Sequence, residues 1–159
     1  MGCDIHVYLA KKISKGLAVV KTIDTGGYEN EAEATFLSPH VSRNYELFGM
    51  LSGVRGEAEI VESSCEGFPG GLSDEFLHSV DFLYTGGDRH SHTHIWLDDL
   101  EEEHRRVKVF QKRFSYAGDG KINKWYPLKD FYETMKKLSD RVLPGVAAGD
   151  IVVLFCYNN

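Results

Sequence analysis

The run Ile151-Val152-Val153-Leu154-Phe155-Cys156-Tyr157 (IVVLFCY) decides the fold class. It is continuously apolar, short, and rich in β-branched and aromatic residues. That combination predicts a strand buried on both faces. At the other end of the chain, MGCDIHVYLA (1–10) alternates. Cys3, Ile5, Val7 and Leu9 point one way and Asp4, His6 and Tyr8 the other, the period of a strand with a single apolar face. A turn around Ser14-Lys15-Gly16 and the run LAVVKTI (17–23) predict a second strand that completes an antiparallel hairpin.

Helical patterns fill the region between. Residues 24–41 are polar and turn-rich and read as a long loop, a kind of segment that is often functional. SRNYELFGMLSGVRG (42–56) predicts a helix capped by Ser42, with Leu47, Phe48, Leu51 and Val54 on one side. Gly49 and Gly53 share a face of it. Each costs ~1 kcal/mol relative to Ala in a helix, so close packing or close approach of a ligand is expected there. FPGGL (68–72) is a turn, and Ser73 caps a second helix carrying Phe76, Leu77, Val80, Leu83 and Tyr84. Asp98 caps a third, with Glu101 reaching back to its start. Pro127 opens a fourth at its favoured first position, with Leu128, Phe131, Tyr132, Met135, Leu138 and Val142 buried and Pro144-Gly145 ending it. The expected fold is a single α+β domain over 1–159. A mixed or antiparallel sheet would include short strands near 57–62 and 90–96, with about four helices packed on one face.

Composition excludes several function classes. The chain has 159 residues, 42% hydrophobic and 26% charged, which suits one ordinary globular domain. Eighteen basic against 24 acidic residues give a net charge of −6, without the basic face that binding to duplex nucleic acid requires. Three cysteines without a C-x-x-C pair argue against a thiolate zinc site and against a disulfide framework. No apolar stretch approaches the ~20 residues of a membrane span. Nor does the N-terminus read as a secretory signal, so a cytoplasmic protein is expected.

TGGDRHSHTHIWL (85–97) is the most unusual segment. As a regular strand it would project His90, His92 and His94 from one face. Neutral imidazole is a common ligand of zinc and related metals, and H-x-H can hold an ion with help from elsewhere. Asp4 and His6 form a matching D-x-H pair if the two strands are neighbours. His6, His90 and His92 are therefore the candidate ligands of a divalent metal, zinc or manganese, with Asp4 as candidate general base. The plainer alternative is a set of polar histidines that cap helices or pair with Asp88 and Glu101. Arg43-Asn44-Tyr45 stands at a helix N-terminus, where free N–H groups and a bidentate arginine suit an anion. Arg55 follows the same helix. The plainer alternative here is a capped helix with a solvated arginine and a core tyrosine.

These motifs also occur together. MGCDIH at 1–6, RNYELFGMLSGVRG at 43–56, PGGLS at 69–73 and HSHTHIWLDDL at 90–100 resemble, in the same order, a group of small proteins encoded by bacteriophages. The resemblance covers most of the chain. It departs at Ser73, where the turn often has proline, and at His94-Ile95, inserted before Trp96-Leu97, which leaves open which two histidines fill the site. The resemblance implies a phage origin, hence the cytoplasm of an infected bacterium, and a shared polar site rather than a reaction. The expected function is an accessory protein that binds a small anionic ligand, such as a nucleotide, in a metal-assisted pocket formed by Asp4, His6, Arg43, Asn44, Tyr45, Arg55, His90 and His92. Catalysis there would be hydrolysis of a phosphoester. The alternative is a non-enzymatic protein that sequesters such a ligand or blocks a host protein.

Overall fold

The computed structural model describes residues 2–22, 35–54, 61–82, 87–114 and 126–158, with residues 107–114, 126 and 127 described for their backbone alone. Among the described residues the apolar run is the central strand of a five-stranded antiparallel sheet. In chain order the strands are β1 (Asp4–Ile13), β2 (Gly16–Val19), β3 (Cys65–Glu66), β4 (Arg89–Trp96) and β5 (Ile151–Asn158), arranged β2-β1-β5-β4-β3. β1 and β2 form the expected hairpin, with Ile13 opposite Gly16. β5 lies between β1 and β4, and every residue from Ile151 to Tyr157 is buried. No strand is found at 61–62, and 57–60 lie outside the described residues. The short edge strand is instead Cys65–Glu66.

Among the described residues four α-helices accompany the sheet: α1 (Tyr45–Ser52), α2 (Asp74–Ser79), α3 (Leu97–Phe114) and α4 (Tyr126–Val142). They do not share one face. Leu47, Phe48 and Leu51 of α1, Leu97 and Leu100 of α3, and Leu128, Phe131, Met135 and Leu138 of α4 form the main core with Ile5, Val7, Leu9, Val153, Phe155 and Tyr157. α2 covers the other face, where Phe76 and Val80 pack with Tyr8, Ala10, Val152, Leu154 and Cys156. A strand that is apolar at consecutive positions needs cover on both sides, and this division of the helices supplies it.

The helix ends follow from local chemistry. Asn44, not Ser42, is the N-cap of α1, its Oδ1 accepting from the Leu47 N–H at 3.1 Å. Gly53 ends that helix instead of lying within it. Its φ of 68° is the left-handed conformation that glycine adopts without a steric penalty. Ser73 caps α2 as expected, accepting from Phe76 N at 3.2 Å. α3 starts one residue before Asp98, and Asp98 Oδ1 accepts from Asp99 N at 2.9 Å. Pro127 is the second residue of α4. The FPGGL turn packs on the β1–β2 turn, where Leu17 N donates to Gly71 O at 3.0 Å. A Cβ on Gly16 would stand 2.5 Å from that same oxygen, so the contact requires glycine. Among the described residues no helix is long and apolar enough to cross a membrane.

Candidate functional site at the polar end of the sheet

Residues directly opposite each other in an antiparallel pair share a face. Asp4 and Arg89 both stand opposite Asn158, and His6 stands opposite Cys156. One end of the α2-side face therefore carries Asp4, Asn158 and Arg89 across three strands, with His6 and Cys156 one step further in. Below them lies Tyr8, opposite Leu154.

The histidines of β4 do not all join this face. His90 is opposite Tyr157 and Thr93 is opposite Phe155, so β4 spends one residue more than β5 between the two pairs. This is a β-bulge, and Ser91 within it has a φ of 53°. The extra residue breaks the alternation of the H-x-H-x-H run. His90 points to the main core and stacks on Tyr157 at 6.2 Å between ring centroids. His92 and His94 point to the α2 side. His92 Nε2 is 2.6 Å from Val80 O, and its ring meets the edges of Phe68 and Phe82 at 5.2 and 5.3 Å. His94 Nδ1 is 2.7 Å from Gly67 O. β1 and β4 are not neighbours either, since β5 separates them by two strand spacings, about 9–10 Å. His6, His90 and His92 thus do not converge, and the condition for joining D-x-H to H-x-H is not met. Among the described residues no group of three or more His, Cys, Asp or Glu side chains is placed to hold a metal ion.

The α1 residues have structural partners. Arg43 Nε and Nη2 both reach Asp4 Oδ1 at 2.9 Å, so two predicted site residues 39 positions apart do meet. Asn44 is occupied as the helix cap. The Tyr45 hydroxyl accepts from Cys3 N at 3.3 Å while its ring meets Phe48 edge-on, an arrangement that ties the first residues to α1. Arg55 lies outside the described residues.

The group that sequence reasoning passed over is Arg89. It is half-buried, and its Nη1 donates to the Tyr8 hydroxyl at 2.7 Å. It forms no ion pair among the described residues. Burial works against its charge, but Tyr8 and Cys156 together outweigh burial, and its pKa stays above the ordinary arginine value. Arg89 in turn shapes its neighbours. Burial, and then the nearby Arg89 charge, hold His6 below its ordinary pKa, so the imidazole is neutral at neutral pH. Burial pushes the Cys156 thiol up to about 11, against the opposing influence of Arg89. Cys156 is therefore a protonated thiol and no nucleophile, although it sits opposite a histidine. The Asn158 side chain lies within hydrogen-bonding reach of His6 and favours its protonated form, the part of an acceptor, although neither His6 Nε2 nor Asn158 Oδ1 makes a hydrogen bond of good geometry among the described residues. The signal for this cluster was the parity of Asp4, His6 and Tyr8. Arg89 and Asn158 could join it only once the strand order was known. Compared with family models, curated proteins and solved structures, the chain has no significant match to any.

Proposed function

We propose that the polar end of the sheet binds a small anionic ligand, with the Arg89 guanidinium as its anchor. The observation that carries this reading is a half-buried cation whose bonded neighbours are uncharged, while the carboxylates of the same region, Asp4 and Asp81, form no ion pair with it among the described residues. Arg89 is bonded to the Tyr8 hydroxyl, lies near neutral His6 and the protonated Cys156, and has no ion pair among the described residues. A charge withdrawn from water is costly unless paired, and a bound anion offsets that cost. Arg43 differs, because Asp4 already matches its charge. The resemblance to small bacteriophage proteins supports the role of a phage-encoded accessory protein. Hydrolysis of a phosphoester is the catalytic extension of this reading. In it neutral His6 is the available proton acceptor, since Asp4 Oδ1 is engaged by Arg43.

Titration calorimetry with inorganic phosphate and nucleoside 5′-monophosphates tests the proposal, with and without zinc or manganese. The wild type should bind, and Arg89→Gln should weaken binding by about tenfold or more, the worth of a charge-assisted contact. A larger loss with Arg43→Ala than with Arg89→Gln would move the anchor to the start of α1. No binding by the wild type under any of these conditions would remove the anion reading. Release of phosphate from the bound ester separates a hydrolase from a sequestering protein.

A further inference from the structure

We infer that Thr93 is the positioning residue of the anion site: its hydroxyl holds the β4 bulge that sets Arg89, rather than His90, opposite Asn158. This deepens the anion reading and, for its effect on binding, rests on it. Thr93 to Trp96 pair with Phe155 to Val152 in one register, whereas His90 and Arg89 pair with Tyr157 and Asn158 in a register shifted by one. Ser91 and His92 together oppose Cys156. Continued past Thr93 without the shift, the first register would set His92 opposite Cys156, Ser91 opposite Tyr157 and His90 opposite Asn158. Arg89 would then turn to the other face, because side chains alternate with a period of two. The bulge therefore decides which of two adjacent residues, a permanent cation or an imidazole, stands on the face of Tyr8 and Cys156.

That bulge carries a cost. Ser91 has a φ of 53°, a conformation that bulges commonly give to glycine and that strains a residue with a side chain. Ser91 Oγ meets the adjacent His90 Nδ1 at 3.0 Å, a contact within the bulge itself. The hold from outside comes through Thr93, which is buried and whose Oγ1 donates to Ser91 O at 2.8 Å. Ser52 Oγ, at the end of α1, lies 3.2 Å from Thr93 Oγ1 and 2.9 Å from the Tyr157 hydroxyl. A hydroxyl has one proton to give. Thr93 gives its own to Ser91 O, so Ser52 donates to Thr93 and Tyr157 donates to Ser52. The chain of donors runs from the central strand through α1 and ends on the strained residue. A buried polar network satisfied in this way specifies one arrangement of the strand.

Two readouts test the role of Thr93. One is phosphate affinity by titration calorimetry. The other is the nuclear Overhauser contact between the His90 and Tyr157 rings, which stack at 6.2 Å between centroids. Thr93→Val should weaken phosphate binding about tenfold, as Arg89→Gln does, and lose the ring contact. Thr93→Ser keeps the hydroxyl and should retain both. Deletion of Ser91 removes the extra residue and leaves Arg89 opposite Asn158 in a regular strand. This variant should also retain both, and adding Thr93→Val to it should change neither. Retention of either readout by Thr93→Val in the intact chain overturns the inference, and so does their loss in Thr93→Ser or in the double variant. Should Thr93→Val fail to fold by circular dichroism, the double variant decides. Folded, it supports the inference; unfolded, it makes Thr93 a residue of the core and not of the bulge. Absence of phosphate binding by the wild type overturns the anion reading alone, and the ring contact then decides the role of Thr93.

Discussion

His6 shows how one side chain reports its surroundings. Its pKa is held below the ordinary 6.5 by burial first and by Arg89 second, while Asn158 and Asp4 act in the other direction. The unfolded chain therefore takes up a proton at His6 more readily than the folded one. The stability this contributes is fully present above pH 6.5 and is lost as the pH falls from there through the folded-state value. Thermal melts between pH 7.5 and pH 5 should show a decline below about pH 6.5 that is shallower in His6→Gln. Identical profiles for the two proteins would assign the acid sensitivity to other groups. A saturating anion at Arg89 should lessen the difference, because it screens the charge that disfavours the imidazolium.

Among the elements, α1 carries the sharpest test. Both Ser42 and Asn44 are good capping residues, but only Asn44 Oδ1 meets the Leu47 N–H. Asn44→Ala should cost roughly 0.5–2 kcal/mol in urea unfolding, whereas Ser42→Ala should stay within about 0.5 kcal/mol. The reverse order would start the helix where the sequence pattern had placed it. β4 makes a related point. A strand with strict alternation would put three imidazoles on one face, and the bulge at Ser91 sends His90 to the opposite side from His92 and His94. Each then finds a neighbour of its own: Tyr157 for His90, Val80 O for His92 and Gly67 O for His94. The run is thus a set of separate contacts that hold β4 against both cores.

β5 contributes consecutive buried residues to both cores, so the stability of the protein should depend on that strand more than on any surface feature. Phe155 is fully buried and lies edge-on to Phe131 at 6.4 Å and Tyr157 at 6.3 Å between centroids. Phe155→Ala should cost about 3–5 kcal/mol. That is a large part of the ~5–15 kcal/mol that holds a domain together, and a shift of the urea midpoint would measure it. By contrast, Arg43→Ala removes an exposed ion pair, and its melting temperature should match the wild type.

The pattern of apolar residues was sufficient for the α+β class, the β1–β2 hairpin, the buried C-terminal strand, the Ser73 cap and the buried side of α4. Periodicity and capping act within a few residues of chain, so they can be read without knowing what lies across a strand. The polar cluster could not be read that way. That His6 faces Cys156 and that Arg89 and Asn158 stand opposite each other follow from β5 lying between β1 and β4, and Asp4 meets Arg43 across 39 positions of chain. The separation of His90 from His92 follows from one inserted residue. Because side chains alternate with a period of two, a single bulge turns everything beyond it to the other face, and no count of spacing along the chain reveals where it falls.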